Sequence, residues 1–283
     1  MLLKNTTKQI MNESLEKWNE WFAGLTDGDG CFYINKKQKS ISFEITTHIC
    51  DSRLVYNVKN ELKGGSVKLR SHSQSIRYRV KSKPVIINIV NRLNGKLFNP
   101  TRLEQFKNVC QILDIKQIEN CFFFDKKNNY ISGLIDSDGT LTISVSRSNY
   151  EDSQKSGVTG RVIRLVNSKA YNQLSLKITS IYKNFLLVIK DSYGFGTIYE
   201  EKPNKRNKSP NQKYHWIIRS YEEFVFLYDI LKKCPLKSVK MHRIRLSLLY
   251  FKYKELKYHL KLPGTVEFKI WEKFCHSWFK YSF

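Results

Sequence analysis

The chain has 283 residues, which at roughly 150 residues per domain is enough for about two domains or one large duplicated domain. Its 49 Lys and Arg residues exceed its 25 Asp and Glu residues, and the resulting net charge of +24 indicates a polyanionic partner. Hydrophobic residues form 41% of the chain and aromatic residues 13%, which excludes a disordered basic tail, because such tails lack the apolar area that offsets the entropy of ordering.

The apolar runs predict no membrane segment. The longest of them, such as residues 84–90 and 185–189, are far shorter than the roughly 18 residues that a membrane helix needs. The first fifteen residues are polar and show no secretory cleavage pattern. The six cysteines form no CxxC pair, which is typical of free thiols in a reducing compartment. We therefore expect an intracellular protein without membrane contact.

One segment of the chain occurs twice. Residues 21–30 read Trp-Phe-Ala-Gly-Leu-Thr-Asp-Gly-Asp-Gly, and residues 130–139 read Tyr-Ile-Ser-Gly-Leu-Ile-Asp-Ser-Asp-Gly. Each copy is predicted to be a short helix that ends at a glycine and continues into a strand, over residues 31–34 and 140–145 respectively. The last aspartates of the copies, Asp29 and Asp138, are 138 − 29 = 109 residues apart. Such a repeat indicates a duplicated fold.

The remaining elements of the first half follow in a regular order. A strand that includes residues 43–47 precedes a helix over 52–63, which is ended by Gly64-Gly65. Short strands are then predicted over 66–70 and 75–81, and helices over 85–93 and 101–113. The last helix begins with a predicted capping box formed by Thr101 and Glu104. Residues 114–128 are predicted to link the halves, with the apolar run 121–124 buried.

The second half repeats this order with one insertion. Residues 176–180 echo 43–47 at an offset of 133, so the second copy carries 133 − 109 = 24 extra residues near 147–171. Their Ser, Gly, Asn and Arg content predicts a long hairpin or surface loop. A helix over 184–193 ended by a glycine and strands over 197–201 and 214–219 follow, and near the carboxyl terminus a helical stripe predicted to dock on the core consists of Phe268, Trp271, Phe274 and Trp278.

Each half therefore reads α-β-β-α-β-β-α. We predict an α+β protein of two fused halves, 1–113 and 129–283, related by pseudo-two-fold symmetry and joined by the linker 114–128. Each half is expected to form one antiparallel sheet.

The repeated helix suggests a chemical site. Small residues at Ala23-Gly24 and Ser132-Gly133 allow two helices to pack closely, which would bring Asp29 and Asp138 together. Two carboxylates about 4 Å apart repel by roughly 4 kcal/mol at an effective dielectric constant near 20, so a cation must compensate. A divalent metal is the natural candidate, because Mg²⁺ binds one or two carboxylates together with waters and phosphate oxygens. Such a site is suited to phosphodiester hydrolysis.

The nonapeptides at residues 22–30 and 131–139 both resemble the LAGLIDADG motif of homing endonucleases, and the length and element order resemble the family's two-motif, single-chain members. This resemblance implies that Asp29 and Asp138 bind two or more catalytic Mg²⁺ ions. It also implies that Gly28 and Ser137 lend backbone carbonyls to the metals. The remaining motif acids, at positions 27 and 136, would mostly shape the helix ends.

Other positions match the family less closely. The family commonly has a glutamine after the second strand to orient water, and this chain has Thr47 and Ser180 there instead. A basic residue near the active site usually assists catalysis. By resemblance that residue is Lys96 in the first half and Lys240 in the second, with Lys237 as a second choice.

Basic strands provide an independent indication of nucleic-acid binding. Alternation along the strands predicts that Lys68, Arg70, Arg77, Arg79 and Lys81 share one face, opposite an apolar face with Val67, Leu69, Tyr78 and Val80. Such a face fits the DNA major groove, where arginine reads guanine and lysine contacts phosphate. Together with the family resemblance, it implies that the two antiparallel sheets form a DNA-binding saddle. The complete set of predicted DNA-contacting residues is Lys36, Lys37, Lys39, Lys68, Arg70, Arg77, Arg79, Lys81, Arg161, Arg164, Lys202, Lys205, Arg206 and Lys213.

The motif also has a simpler interpretation. A single Asp-Gly-Asp-Gly run is more often a turn than a metal site, and the matched second copy is what favours the metal site. The resemblance predicts a monomeric, site-specific endonuclease that cuts both strands of double-stranded DNA across the minor groove. The alternative is an RNA-binding intron maturase without nuclease activity, since basic charge alone does not separate DNA from RNA. The residue bias is compatible with an AT-rich organelle gene.

Overall fold

A computed structural model describes residues 2–35, 37, 40–120, 125, 127–202 and 212–282, with side chains from residue 12 onward. The first half contains α1 (Leu2–Asp29), β1 (Gly30–Asn35), β2 (Ser40–His48), α2 (Ser52–Leu62), β3 (Ser66–Leu69), β4 (Ser75–Val80), α3 (Lys83–Leu93) and α4 (Pro100–Leu113). Its strands form one antiparallel sheet in the order β1-β2-β4-β3.

The second half contains α5 (Tyr130–Asp138), β5 (Thr140–Val145), α6 (Tyr150–Gln154), α7 (Gly157–Val166), β6 (Asn172–Ser180), α8 (Lys183–Tyr193), β7 (Thr197–Glu200), β8 (Tyr214–Ile218), α9 (Tyr221–Lys233), α10 (Lys240–Glu255) and α11 (Val266–Trp278). Its antiparallel sheet has the order β5-β6-β8-β7, which repeats the order of the first. The predicted α+β fold with two antiparallel sheets is confirmed, and each sheet has four strands.

The duplication extends to the strand register. In the first sheet Phe43 of β2 lies opposite Phe32 of β1 and Val80 of β4, and all three side chains are buried. In the second sheet the corresponding residue, Leu176 of β6, lies between Leu141 and Ile218, which are also buried. One face of each sheet therefore packs on the core, and the opposite face is left open for another role.

The predicted helix stop after α2 forms through backbone geometry. Lys63 has φ of +52°, and Gly65 follows with φ of +82°. A Cβ on Gly65 would lie 2.6 Å from the Tyr78 ring, so a larger residue would be both strained and crowded there. This turn directs the chain from α2 back into β3 on the same sheet.

The insertion in the second half differs from the prediction. Instead of a long hairpin or surface loop it forms helices α6 and α7, because α7 has an apolar face that the composition of the segment concealed. Val162 and Leu165 of α7 are buried, and the Trp271 indole of α11 donates a hydrogen bond of 3.2 Å to the Val166 carbonyl. The insertion is therefore part of the packed structure of the second half.

The start of α4 also differs from the prediction, because the capping box at Thr101 does not form. The residue before the helix, Asn99, accepts a hydrogen bond from the Thr101 amide at 3.0 Å, and the Thr101 hydroxyl lies 3.0 Å from the Tyr182 hydroxyl of the other half. Asparagine is as good a helix N-cap as serine or threonine, and here it precedes a proline at the first helical position.

The carboxyl-terminal stripe behaves as predicted. Phe268, Trp271, Phe274 and Trp278 of α11 are all buried, and Trp271 is fully enclosed. The apolar run 121–124 in the linker lies outside the described residues. Over the part of the chain that the structure describes, no helix is long and apolar enough to cross a membrane.

Candidate active site and nucleic-acid interface

The centre of the molecule is the contact between the motif helices α1 and α5, where glycines remove the side chains that would hold the backbones apart. A Cβ on Gly24 would lie 2.8 Å from the Leu134 nitrogen, and a Cβ on Gly133 would lie 2.6 Å from the Leu25 nitrogen. These atoms belong to the opposing backbone, so no rotamer change makes room. The small residues of the repeat therefore permit the close helix contact that the sequence suggested.

The first aspartate of each motif forms hydrogen bonds within the protein and so has a structural role. Asp27 accepts hydrogen bonds from the Phe98 amide at 2.6 Å, the Asn99 amide at 3.1 Å and the Tyr130 hydroxyl of the other motif at 2.6 Å. These three donors bind Asp27 to the loop before α4 and to the opposing helix. Burial nevertheless raises the pKa of Asp27 to about 7.

Asp136 has the equivalent role in the second motif. It accepts from the Lys237 amide at 2.9 Å, the Ser238 amide at 3.0 Å and the Trp21 indole of the first motif at 2.8 Å. Because Trp21 and Tyr130 occupy the same position of the repeat, each helix donates one side-chain hydrogen bond to the carboxylate of the other. Burial raises the pKa of Asp136.

The last aspartates of the motifs, Asp29 and Asp138, are placed differently. They meet at the adjacent ends of the two helices, since a Cβ on Gly28 would lie only 3.1 Å from the Asp138 Cγ. Burial, followed by the negative charge of Asp138, raises the pKa of Asp29 to about 7, and burial also raises the pKa of Asp138. Among the described residues, none donates a hydrogen bond to either carboxylate or lies in a salt bridge with it.

Two cationic side chains border the acidic pair. Lys240 donates from Nζ to the carbonyl oxygens at the end of α5, including that of Ser137 at 2.8 Å. Arg102 of α4 donates to the Gly28 carbonyl at 3.1 Å. Both charges oppose the rise in the pKa of Asp138. Arg102 was missed by the sequence reasoning, and only the position of its helix relative to the motif identifies it.

The structure corrects the prediction that Lys96 serves the site. Its ammonium forms a 2.9 Å salt bridge with Glu16 of α1. Glu16 precedes Asp29 by 13 residues, which at about 1.5 Å per residue places it about 20 Å back along the helix. The loop after α3 thus directs Lys96 away from the acidic pair. The second choice in the other half, Lys237, lies beside Asp136 and holds its ammonium 4.7 Å from the centre of the Trp21 ring.

The positions that hold glutamine in the family are occupied by hydroxyl groups with local partners. The Thr47 hydroxyl donates to the His48 carbonyl at 3.3 Å, and the Ser180 hydroxyl accepts from the Tyr182 amide at 3.0 Å. An additional acid stands nearby, because the charge of Asp51 contributes to the raised pKa of Asp29. Asp51 accepts a 2.8 Å hydrogen bond from the Val239 amide, which joins the two halves beside the site.

The donor set fits a divalent cation. Two carboxylates that have no partner in the described part of the chain face the same space, and the carbonyl oxygens of Gly28 and Ser137, although hydrogen-bonded, each keep a second lone pair. Hard cations such as Mg²⁺ prefer oxygen ligands of these kinds and retain several waters. Within the described ranges no cluster of three or more His, Cys, Asp or Glu side chains suited to a metal occurs, so this site offers two carboxylates and no more.

The open face of the first sheet is cationic. Arg77 and Arg79 of β4 point away from the core while Tyr78 and Val80 are buried, and Lys68 lies directly opposite Arg77 on β3. Arg70 and Lys81 are exposed next to these strands, and together these five residues line a groove of about 940 Å³. The face predicted to be apolar is interrupted at Leu69, which is 64% exposed near the sheet edge.

Other predicted DNA-contacting residues lie in different settings. Lys37 and Lys202 are exposed and Lys213 is half-buried, whereas Lys36, Lys39, Lys205 and Arg206 lie outside the described residues. Two predicted residues are on α7 rather than on a sheet face, and both are engaged within the protein. The Arg161 guanidinium stacks over the Phe279 ring at 5.7 Å, and Arg164 donates to the Asp152 and Lys155 carbonyls. The helical insertion explains this difference from the expected basic loop.

Solved structures with the same architecture are LAGLIDADG meganucleases. The chain aligns with the I-LtrWI homing endonuclease bound to target DNA at a TM-score of 0.63 and 17% identity, covering 94% of this chain and 98% of that one. It aligns with I-SmaMI bound to uncleaveable DNA at a TM-score of 0.64 and 15% identity, covering 90% and 97% of the two chains. At these identities the likeness establishes the fold.

Sequence comparison establishes the family. The profile of the LAGLIDADG endonuclease family matches residues 22–113 and 131–251, so the chain belongs to that family and contains both motif regions. It is 33% identical over 276 residues to the probable intron-encoded endonuclease aI2 of Debaryomyces hansenii, covering 96% of this chain and 39% of the relative. It is 34% identical over 271 residues to the intron-encoded RNA maturase bI4 of Saccharomyces cerevisiae, covering 95% and 38%. The chain thus spans about two fifths of the length of these relatives.

Proposed function

We propose that the chain is a site-specific endonuclease that cuts double-stranded DNA with divalent cations, Mg²⁺ in the cell, bound between Asp29 and Asp138. The observation that carries this proposal is the contrast between the two aspartates of each motif. Asp136 accepts hydrogen bonds at both carboxylate oxygens, and Asp27 accepts three at Oδ2 while its buried Oδ1 has no partner among the described residues. Asp29 and Asp138, in contrast, receive no hydrogen bond from the described residues. A half-buried pair of carboxylates that receives no hydrogen bond from the described residues is unfavourable, and a bound divalent cation would offset their mutual repulsion.

In this proposal the chain's own groups hold the divalent cations and neutralise negative charge at the site. Asp29, Asp138 and the carbonyls of Gly28 and Ser137 hold two or more divalent cations, which when bound supply a lowered water pKa and stabilisation of the leaving oxygen. Lys240 and Arg102 carry positive charge to the edge of the site, where a phosphodiester gains negative charge during hydrolysis. Because each half contributes one aspartate, each is suited to serve one DNA strand.

The cationic face of the first sheet supports double-stranded DNA as the substrate. A two-stranded β-ribbon fits the major groove, and arginine is the residue that most often reads guanine there. Meganucleases of the same fold have been solved bound to their DNA targets. One of these neighbours, I-SmaMI, was also solved on uncleaved DNA with calcium ions, which supports a divalent cation for this chain.

The test separates binding from chemistry. A duplex pool with a randomised central segment is selected by binding in Ca²⁺, and the enriched sites are then incubated with the protein and Mg²⁺. We expect wild type to cleave the enriched site, and Asp29→Asn and Asp138→Asn to bind it within about threefold of wild type and to cut at least about 100-fold more slowly. Glu104→Gln, an exposed acid on α4, is the matched control. Cleavage at the wild-type rate by both Asn variants would contradict the assignment.

A second candidate function is an RNA-binding intron maturase without nuclease activity. The observation that favours it is the 34% identity to the bI4 maturase, which extends over 95% of this chain. Both functions require a polyanion-binding surface, so charge does not choose between them. The same preparation is therefore offered Mg²⁺ with target duplex and, separately, the RNA of its own intron. Tight RNA binding together with uncleaved DNA would favour the maturase.

We also propose that the protein acts as a monomer in an organelle. A single chain supplies both aspartates of the site, which supports a monomer, and its relatives are named as intron-encoded. Sedimentation of the DNA complex measures the protein to DNA ratio, for which we expect one to one. Fractionation of cells with an antibody against the chain tests its location, and recovery in the cytosol alone would refute the organelle assignment.

A further inference from the structure

The open face of the first sheet contains one acidic residue, although the proposed contact with DNA favours positively charged side chains there. Glu44 on β2 is the only Asp or Glu in β1, β2, β3 and β4, and it points to the same open face as the arginines. A carboxylate there repels DNA phosphates, so it weakens non-specific attraction to any duplex. Its presence requires a compensating role.

The carboxylate bridges the two arginines of that face. Arg79 lies directly opposite Glu44 in the strand register, and its Nε is 2.7 Å from Glu44 Oε1. Arg77 lies diagonally, with its Nη1 3.1 Å from Glu44 Oε2. Each oxygen therefore faces a different guanidinium. The Nε–H groups of both arginines are buried and form no hydrogen bond with the described residues, so the Nη groups that do not contact Glu44 are the donors left for other partners. The three side chains are 20–41% exposed, so the contact is partly shielded from water.

We infer that Glu44 determines sequence specificity by positioning Arg77 and Arg79 for base readout. This inference rests on the proposed function, since it assumes that the first sheet lies in a DNA groove. A free arginine side chain samples many rotamers and contacts phosphates wherever they are, whereas an arginine held by a carboxylate presents one fixed fork. Holding the two guanidinium groups in place lowers the entropic cost of their hydrogen bonds to the correct bases. It also lowers the binding free energy that incorrect bases can contribute, because the fixed donors do not move to reach them.

The second sheet shows that this arrangement is specific to the first half. The position equivalent to Glu44 is Lys177 on β6, and it lies opposite Ile217 of β8. The position equivalent to Arg77 is His215, whose ring nitrogens lie 2.9 Å from the Thr179 hydroxyl and 3.2 Å from Glu201. Over the described strands β5 to β8 the second sheet thus has no matching triad, and the two half-sites of the DNA are expected to be read by different chemistry.

The experiment compares Glu44→Gln with wild type on two probes, the duplex enriched by wild type and a random-sequence duplex of equal length. We expect Glu44→Gln to bind the random duplex two- to fivefold more tightly and to make its log-log salt slope steeper by about 0.9, because one opposing charge is gone. The ratio of the affinities for the two probes is expected to fall about tenfold. The matched control Glu200→Gln removes the same charge on β7 and leaves that ratio unchanged.

A second variant separates positioning from charge. Arg77→Lys with Arg79→Lys keeps the net charge and removes the planar forks, so it is expected to retain non-specific affinity and lose the same discrimination. In that background Glu44→Gln should reduce discrimination no further, because the groups through which it acts are absent. Melting temperatures establish that the variants are folded.

The outcomes distinguish a failure of the proposed function from a failure of the inference about Glu44. If wild type enriches no sequence from the randomised pool, the proposed function fails. If wild type enriches a site and Glu44→Gln discriminates as wild type does, the function stands and the inference about Glu44 is wrong. Equal losses of discrimination in Glu44→Gln and Glu200→Gln would likewise overturn it, since net charge alone would then explain the effect.

Discussion

The contact between the motif helices predicts a large response to a single methyl group. Gly133→Ala places a Cβ against the Trp21 carbonyl oxygen and 2.6 Å from the Leu25 nitrogen. Ordinary contact distances begin near 3.5 Å, so the helices must separate by roughly 1 Å. Both opposing atoms are backbone atoms of α1, and the neighbouring side chains of that helix are buried on all sides. No local rearrangement relieves the overlap.

The expected magnitude follows from two opposing effects. Inserting a methylene into a packed interior costs about 1–3 kcal/mol, and the backbone contact places this case at the upper end. Replacing a helical glycine by alanine returns about 1 kcal/mol. The net loss is about 2 kcal/mol, which for a chain of this size lowers Tm by about 4–8 °C. The separation also displaces Asp138 from Asp29, so cleavage should fall by more than the loss of folded protein explains.

Thermal unfolding of the purified variant, followed by cleavage assays well below its Tm, measures both effects. The matched control is Gly64→Ala, where the added Cβ meets a methyl group of the half-buried Val85 side chain at 2.8 Å and no backbone atom. We expect this control to stay within about 1 kcal/mol of wild type and to cleave normally. If Gly133→Ala unfolded at or above the wild-type temperature, the close backbone contact would be wrong and the alignment of the two acidic helix ends would lose its basis.

Four further predictions follow from the same contacts. Arg102→Ala should slow cleavage about 100-fold and move the acidic limb of the pH profile upward, because the guanidinium lowers the pKa of both acidic groups, whereas Lys96→Ala should change neither. Burial raises the pKa of Asp29 to about 7 in the folded protein, so ionising this carboxyl destabilises the fold. The loss of stability is absent below pH 4 and increases as the pH rises to 7. Without metal, Asp29→Asn should therefore stabilise the fold by about 1–3 kcal/mol at pH 8 and not at pH 4. Tyr130→Phe, measured by urea unfolding, should cost about 1–2 kcal/mol, and the exposed Tyr150→Phe almost nothing. Titration at several salt concentrations should give a log-log slope near −9 if about ten phosphates are neutralised.

The elements that follow a strict local pattern were predictable from the sequence. The repeated nonapeptide and the alternation Arg77-Tyr78-Arg79-Val80 each combine a period with a chemical contrast. The first forms the ends of helices α1 and α5, and the second forms strand β4. The insertion was not predictable in the same way, because its apolar positions in α7 are interspersed with Arg, Thr and Gly. Only the contact with Trp271 shows which side of that segment is buried.

The cationic neighbours of the acidic pair show a different limit. Lys96 and Arg102 are six residues apart, and which of them reaches the site depends on how the intervening loop turns. The hydrogen bonds from Phe98 and Asn99 to Asp27 fix that turn, and they join residues 71 and 72 positions apart in sequence. Sequence spacing carries no information about such a bond. Similarity to the motif therefore predicted Lys96, whereas the fold places Arg102 beside the acidic pair.

The same bonds link the stability of the site to its chemistry. Asp27 holds the loop that leads into α4 and so delivers Arg102 to the Gly28 carbonyl. In the other half Asp136 holds the loop that leads into α10 and so delivers Lys240. In each half, the hydrogen-bonded aspartate of the motif therefore positions a cationic side chain beside the last aspartate of the motif. A substitution at the structural aspartate should consequently damage cleavage through displacement of the cation, even where the acidic pair itself is intact.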